Sequence, residues 1–491
     1  MQQSRRTMDL KNKLLLRQQA YLNGKWINAD DGKTFPVINP ATQKVIGKVA
    51  DLAVKETKQA IETAQQAFLK WRDQSPEQRS DILTTWAQLI KDNLGDLAII
   101  LTSEQGKPLA EAEGEIEASV KNIEWSAEQS KRVYGEVIPP FAADTRGLVI
   151  KQPIGVVGAV TPWNYPSGTV THKIAPAIAA GCSVVLKPSK ETPYSALALA
   201  FLAEQAGLPP GVFNVISSSQ AENVGKELTE NPLVRKISFT GSTETGRLFM
   251  RQSASTVKKI SLELGGNAPF IVFKDANLKV AIKDALTRKF INCGQVCICV
   301  NRFLVHDSLY NDFIEQFKEA MDMIKVGNGI EQTTTMGPLI NTEAIVKVET
   351  LINDAVKNGA KIIKGGKRHS LGGFFFEPTL IKDVAPDMAI AKQEIFGPVA
   401  SVQSFSTLSE AVKIANDTYY GLASYFYTRD ISDIFRLTEQ LEYGVVFANC
   451  VQGISLAAPF GGFKQSGIGR EGGKLCVEEF CETKYIAIGG I

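Results

Sequence analysis

Residues 291–302 read INCGQVCICVNR and hold three of the chain's seven cysteines, Cys293, Cys297 and Cys299. A metal site, a disulfide and a nucleophile are the chemistries open to such a cluster. Zinc wants four ligands in C-x-x-C-like pairs or with histidine partners. Here the spacings are three and one, and the chain's histidines are His172, His306 and His369 alone, so no metal is expected. The segments CGQVC and QVCI also miss the local patterns of papain-like and caspase-like cysteine enzymes. A single buried thiol is ordinarily a packing group, so the case for a nucleophile must come from the sequence around Cys297.

A chain of 491 residues exceeds what one core supports and points to two or three domains. With 44% hydrophobic and 22% charged residues it has an ordinary globular composition, and a formal charge of +2 gives no field for nucleic acid or an anionic membrane. No segment has the apolar length of a membrane span, and the first twenty residues lack the core of a signal peptide. Their two arginines and the 14–16 leucine run hint faintly at an organellar leader, but a frayed start, with Met8 as an alternative initiator, is the preferred expectation. The other cysteines, Cys182, Cys450, Cys476 and Cys481, are scattered, and the total is odd. This is a reduced, cytoplasmic pattern.

The elements that must position a site alternate along the chain. Asn23-Gly24 signals a hairpin, and Ala60, Ile61, Ala64, Ala67, Phe68 and Trp71 lie at helical spacing. From about residue 148, strand-like GVVGAV, SVVL, VFNVI and VRKISFT alternate with helical stretches beginning near Gly168, Ser195, Ala221 and Ser242. A second alternating stretch runs from about 268 to 450, so two α/β lobes with parallel sheets are expected. The only G-x-G-x-x-G, Gly467, Gly469 and Gly472, follows no clear strand and leaves no room for the rest of a dinucleotide unit, so it reads as a structural loop. FTGSTETG, residues 239–246, is better placed, because a helix opening after a strand presents free N–H groups to phosphate.

SLELGGNAPFIVF, FINCGQVCICVNR, TPWNYP, VLKPSKETP, FTGSTETG and EIFGPV resemble, in order and spacing, the signature segments of the aldehyde dehydrogenase superfamily, from about residue 20 to the C-terminus. The tail APFGGFKQSGIGREGGKLCVEEFCETKY is most similar to the succinate-semialdehyde dehydrogenase branch. The resemblance implies Cys297 as nucleophile, Glu263 as general base and Asn164 as side-chain half of an oxyanion hole. The chemistry needs these types. An aldehyde carbon releases hydride only once it is tetrahedral, which requires attack by a thiolate. The resulting oxyanion needs donors aimed at it in advance, each worth about 3 kcal/mol. Hydrolysis of the thioester then needs a base whose pKa burial has raised. The rival readings are a cysteine hydrolase and an enzyme that has lost its activity, and the second would lack one of these three residues.

For the cofactor, the resemblance implies that Lys187 meets the adenosine ribose, Trp163 and Ser242 the pyrophosphate region, and Glu394 the nicotinamide ribose. Ser189, Lys190, Gly241 and Phe396 complete the implied cofactor set. NAD-preferring relatives commonly carry Glu where this chain has Lys190, and an ammonium there attracts a 2′-phosphate. NADP is therefore the preferred cofactor, with NAD as the alternative and no metal. The implied fold is a Rossmann-like dinucleotide-binding domain (20–130 and 151–262), an α/β catalytic domain (263–465) and a small β oligomerisation element (131–150 and 475–491), assembled as a homodimer or homotetramer.

Where succinate-semialdehyde dehydrogenases hold the distal carboxylate with two arginines, this chain has His172 and Ile291. Tyr165, Ile291, Val296, Ile298 and Phe460 would then form a largely apolar tunnel, with Ser455 and His172 as its polar groups. A buried carboxylate without partners is penalised, so neutral medium-chain or aromatic aldehydes are expected to be favoured; a semialdehyde held by a different clamp is the alternative. Some semialdehyde dehydrogenases use a similar C-x-C pair as a redox switch, which makes Cys299 a candidate redox partner of Cys297. In extended backbone the two Cα atoms would be about 6.5 Å apart, near the upper limit for a disulfide. A packing thiol is the competing expectation for Cys299.

Overall fold

The computed structural model describes residues 8–453 and 455–490. Three sheets organise them. The first has eight strands, and its parallel centre runs Phe213–Val215, Ser183–Lys187, Val156–Val160, Val234–Thr240 and Lys259–Glu263. In chain order this is 3-2-1-4-5, the doubly wound arrangement, whose switch point falls between Val156–Val160 and Val234–Thr240. VVGAV and SVVLK are buried nearly throughout, as a sheet covered on both faces requires. The crossover helices are Gly168–Ala180, Pro193–Gln205, Ala221–Glu230 and Thr243–Ser253, close to the expected starts. At one edge Ala20–Leu22 and Lys25–Ile27 form the expected hairpin, with φ of 51° at Asn23 and 71° at Gly24. The helical spacing of Ala60, Ile61, Ala64, Ala67, Phe68 and Trp71 belongs to the helix Val54–Trp71.

The second sheet runs Lys361–Lys364, Thr379–Lys382, Val399–Phe405, Val300–His306, Ala268–Val272, Ala423–Tyr427 and Val445–Ala448. It is parallel except for the first pair. Glu263 ends a strand of the first sheet, so the second sheet begins after it, at Ala268, rather than at 263. The third sheet is antiparallel, Cys481–Gly489, Thr145–Pro153 and Glu136–Ile138, and its central strand extends three residues beyond the expected limit of 150.

Two other segments refine the sequence reading. SGIGREGG forms a brace: Gly467–Ile468 adds antiparallel to Lys259–Glu263, and Glu471–Gly472 pairs with Pro459–Phe460. The expected frayed start lies partly outside the described residues, in 1–7. From residue 8 onward it is corrected, because Leu10 and Leu15 are buried in the core and the Lys11 and Asn12 N–H groups donate to Asp96. Among the described residues, no helix is long and apolar enough to cross a membrane.

Candidate active site

A cavity of about 950 Å³ opens where the C-terminal ends of the first sheet face the N-terminal ends of the second. Cys297, Glu263 and Asn164 all line it. Each arrives from a different element: Glu263 at the end of Lys259–Glu263, Asn164 just after Val156–Val160, and Cys297 in the loop after the helix Leu278–Phe290.

The cysteine loop is held by backbone geometry that few residues tolerate. Asn292, Cys293 and Gly294 have φ of 49°, 56° and 74°, three consecutive left-handed residues. A side chain at Gly294 would strike the Gly397 carbonyl, and one at Gly266 would strike the Cys297 carbonyl, so these two glycines let neighbouring strands press on the loop. Polar groups complete the clamp. The Asn292 N–H donates to Glu111 at 2.8 Å and its side-chain amide to the Asn164 carbonyl at 3.0 Å. Fully buried Gln295 receives the Ile340 N–H at 2.9 Å and donates to the Asn292 carbonyl at 3.0 Å.

Around the thiol the electrostatics are uneven. Burial, reinforced by Glu394 and Glu263, pushes Cys297 up to about 12, while the N–H groups of Ile298 and Cys297 pull the other way. Asn164 Nδ2 donates to the Gln295 carbonyl at 3.0 Å, which leaves its second N–H uncommitted. Lys107 fixes that segment: its ammonium donates to Glu115 at 2.6 Å and to the Asn164 carbonyl at 2.9 Å, and sits 3.7 Å from the Tyr165 ring centroid. Glu263 Oε2 is buried without a partner among the described residues, and burial and Glu471 together raise its carboxyl well above the usual range. Glu471 pairs with Lys173 at 2.6 Å; burial opposes its charge, but Lys173 and His172 hold it below the ordinary value.

Trp163, Gly241 and Ser242, from loops after first-sheet strands, and Glu394 and Phe396, from the segment before Val399–Phe405, also line the cavity. Trp163 meets Phe396 edge-on, with centroids 5.6 Å apart. Ser242 caps Thr243–Ser253, accepting from the Thr245 N–H, and Glu394 accepts from the Gly266 N–H at 2.9 Å. Lys187, Ser189 and Lys190 follow the neighbouring strand end, outside the cavity lining. Lys187 is buried, among the described residues its ammonium donates only to the Pro188 carbonyl, and burial lowers its pKa to about 8. Lys190 is exposed, and the Ser189 hydroxyl donates to Glu191. An unpaired buried cation, a capped helix start and the partnerless Thr240 hydroxyl suit a ligand with phosphates and hydroxyls.

Tyr165, His172, Ile291, Val296, Ile298, Ser455 and Phe460, the residues of the expected tunnel, line the same cavity. His172 Nδ1 is buried without a partner, and burial lowers its pKa. Cys299 is not extended relative to Cys297: residues 296–299 form a turn closed by the Cys299 N–H on the Val296 carbonyl at 2.9 Å. Its thiol instead faces the Lys289 and Val300 carbonyls, so the extended geometry assumed for a Cys297–Cys299 bridge is corrected. Sequence reading missed Gln295, Glu111, Lys107, Glu471, Lys173 and Arg288. Of these, Gln295 lies inside the cysteine segment and Arg288 on the helix just before it, whereas Glu111, Lys107, Glu471 and Lys173 come from distant elements.

Fold and site thus define a two-lobed α/β protein with a thiol and a carboxylate at the seam between a doubly wound sheet and a second parallel sheet. The chain belongs to the aldehyde dehydrogenase family, whose match spans residues 26–486. It is 52% identical to glutarate-semialdehyde dehydrogenase of Pseudomonas aeruginosa, over 99% of this chain and 100% of that one. It is 50% identical to the NADP(+)-dependent succinate-semialdehyde dehydrogenase of Escherichia coli, over 98% and 100%. The crystal structure of succinate-semialdehyde dehydrogenase from Burkholderia pseudomallei superposes with a TM-score of 0.97 at 50% identity, covering 98% of this chain and 100% of that one.

Proposed function

We propose that this protein oxidises an aldehyde to a carboxylic acid, with NADP as the preferred acceptor and NAD as the alternative. The observation that carries this reading is the convergence of Cys297, Glu263 and Asn164 in one cavity beside the capped start of Thr243–Ser253. The Cys297 thiol first releases its proton to water in the cavity, and the thiolate then attacks the aldehyde carbon, whose carbonyl electron pair moves onto oxygen. That oxyanion is received by the free N–H of Asn164 and the backbone N–H of Cys297. Bound nicotinamide supplies the hydride acceptor. The thioester left on Cys297 is hydrolysed by a water whose proton Glu263 takes, a role for which its raised pKa fits it. The acid leaves, and the Cys297 thiolate is regenerated.

Lys187, Ser189, Lys190, Trp163, Gly241, Ser242, Glu394 and Phe396 hold the cofactor in this reading. The first sheet and its helices form the cofactor-binding domain, the second sheet the catalytic domain, and the third sheet the oligomerisation element of a cytoplasmic homodimer or homotetramer. The curated relatives named above act on semialdehydes, one of them with NADP(+). The loss of arginine from positions 172 and 291 supports a preference for neutral medium-chain or aromatic aldehydes over succinate semialdehyde. A semialdehyde held by a different clamp is the second reading, and one observation favours it: a guanidinium, Arg288, lines the same cavity.

An aldehyde panel followed by nicotinamide absorbance with NAD and NADP tests the reaction. Turnover is expected in wild type and abolished in Cys297→Ala, and substantial turnover in that variant would overturn the assignment. Lys190→Glu should move the preference towards NAD by about tenfold or more, since charge-assisted contacts contribute about 1.5 to 3 kcal/mol. A wild type that strongly favours NAD would refute the role of Lys190.

A further inference from the structure

We infer that Lys107 is a positioning residue for the oxyanion hole: from behind the cavity wall it fixes the direction in which the Asn164 amide points its free N–H. This rests on the aldehyde-oxidation reading and extends it to a side chain that touches neither substrate nor cofactor. Among the described residues, Lys107 is not part of the cavity lining, and its side chain is 1% exposed. Its ammonium meets the reaction centre through the Asn164 carbonyl, at 2.9 Å.

Asn164 is held at both of its polar ends. Its carbonyl accepts from Lys107 and from Asn292 Nδ2 at 3.0 Å, which sets the peptide plane next to its Cα and so the exit direction of its side chain. Its Nδ2 donates to the Gln295 carbonyl at 3.0 Å. An amide is planar, so with one N–H committed the other has a fixed direction. Asn292 Nδ2 is divided between the Asn164 and Gln295 carbonyls, the second at 3.3 Å, whereas an ammonium has three donors, enough for Glu115 and Asn164 together. Glu115 completes the grip. Its Oε2 takes the ammonium at 2.6 Å, while its Oε1 accepts from the Ser167 and Gly168 N–H groups at 2.8 and 3.0 Å, and the ammonium sits 3.7 Å from the Tyr165 ring centroid. One buried ion pair thus clamps residues 164, 165, 167 and 168. The turn that carries Lys107 also reaches the cysteine loop. Gln105 Oε1 accepts from the Lys107 N–H at 2.9 Å, and Gln105 Nε2 donates to Asn292 Oδ1 at 2.8 Å. Side chains at Gly329 and Gly337 would strike the Lys107 and Gly106 carbonyls, so that turn is packed from behind. The two donors of the hole, on Asn164 and Cys297, stand on segments far apart in the chain, and residues 105–107 bond to both. A buried ion pair adds little net stability over apolar packing; what this one contributes is placement.

The test is a double-mutant cycle on kcat, measured per folded molecule with saturating NADP and whichever of pentanal and 5-oxopentanoate is the better substrate. Lys107→Met alone would strand the Glu115 carboxylate, so it is combined with Glu115→Gln, which removes both charges and keeps an acceptor for Ser167 and Gly168. This pair of changes should lower kcat at least tenfold and move KM for the aldehyde less than about threefold, the pattern of a loss confined to the transition state. Asn164→Ala should lower kcat about a hundredfold. Adding the Lys107→Met and Glu115→Gln changes to Asn164→Ala should lower it less than about twofold further, because a residue that acts through the Asn164 amide has nothing left to position. If the combined variant does not fold, Lys107→Arg, whose longer planar head displaces the contact, decides by the same comparison with and without Asn164. Equal losses in the two backgrounds, or a wild-type kcat without the Lys107 ammonium, overturn the inference while aldehyde oxidation stands. A wild-type kcat in Asn164→Ala overturns the oxyanion-hole role and the inference with it. A wild type inert towards every aldehyde overturns the whole reading.

Discussion

Cys297 is half-buried, and its surroundings disfavour the thiolate. Its thiol is pushed up to about 12 by burial and by the Glu394 and Glu263 carboxylates, so the protein without nicotinamide holds it as the neutral thiol at pH 7. The sign follows directly: a raised thiol pKa means that the reactive thiolate grows with pH throughout the accessible range. Alkylation of Cys297 by iodoacetamide, followed by peptide mass spectrometry, should therefore accelerate about tenfold per pH unit between about pH 7 and 9. A plateau below about pH 8 would mean that the thiolate is already formed. Glu263 follows the same logic with the opposite use, since a carboxyl that burial keeps basic is better able to take a proton from water.

Cys297 is located by the loop rather than by its own contacts. The run Asn292, Cys293 and Gly294 is left-handed throughout, and Gly294 is the position where a Cβ has no room, because the Gly397 carbonyl lies against it. Gly397 follows Phe396 and is three residues from Glu394, both of which line the cavity, so a push at Gly294 is passed to that wall as well as to the cysteine loop. Gly294→Ala should destabilise the fold by about 1 to 3 kcal/mol through strain and overlap. It should also cut kcat/KM by more than the lost folded fraction. Thermal melting with activity per folded molecule checks this, and a variant with wild-type melting and activity would show that the loop can relax. Asn292 and Cys293 carry that strain without being glycine, held by the Glu111 acceptor and the Gln295 clamp.

Across the whole molecule, the third sheet is the least covered part. Val137 is 78% exposed, and Tyr134, Phe141 and Tyr485 are also exposed on or beside its strands. Apolar side chains on open sheet edges are costly to leave in water and invite pairing with another chain. Light scattering after size exclusion is expected to give a dimer or tetramer mass, and Val137→Glu combined with Phe141→Ser should lower it. A monomeric wild type would refute the assembly reading. The ends of the first sheet at its switch point line part of the cavity, and the cysteine loop enters the second sheet at its opposite, N-terminal end.

The order of elements, the hairpin at Asn23-Gly24, the helix Val54–Trp71, the βαβ alternation and the trio Cys297, Glu263 and Asn164 were all legible in the sequence. Each is encoded by periodicity over a few residues or by a contiguous motif. The sequence also excluded the glycine motif at 467–472 as a phosphate loop, from the strand missing before it. Contacts between distant segments were decided only by the tertiary structure. The turn at 296–299 turned Cys299 away from the assumed extended pair, because the chain must leave the cavity and enter Val300–His306. The pairing of Lys173 with Glu471 bridges 298 residues, and no local pattern announces it. Arg288 was invisible for the same reason: on a helix its spacing marks a face, but which cavity that face reaches depends on how the helix packs between two lobes.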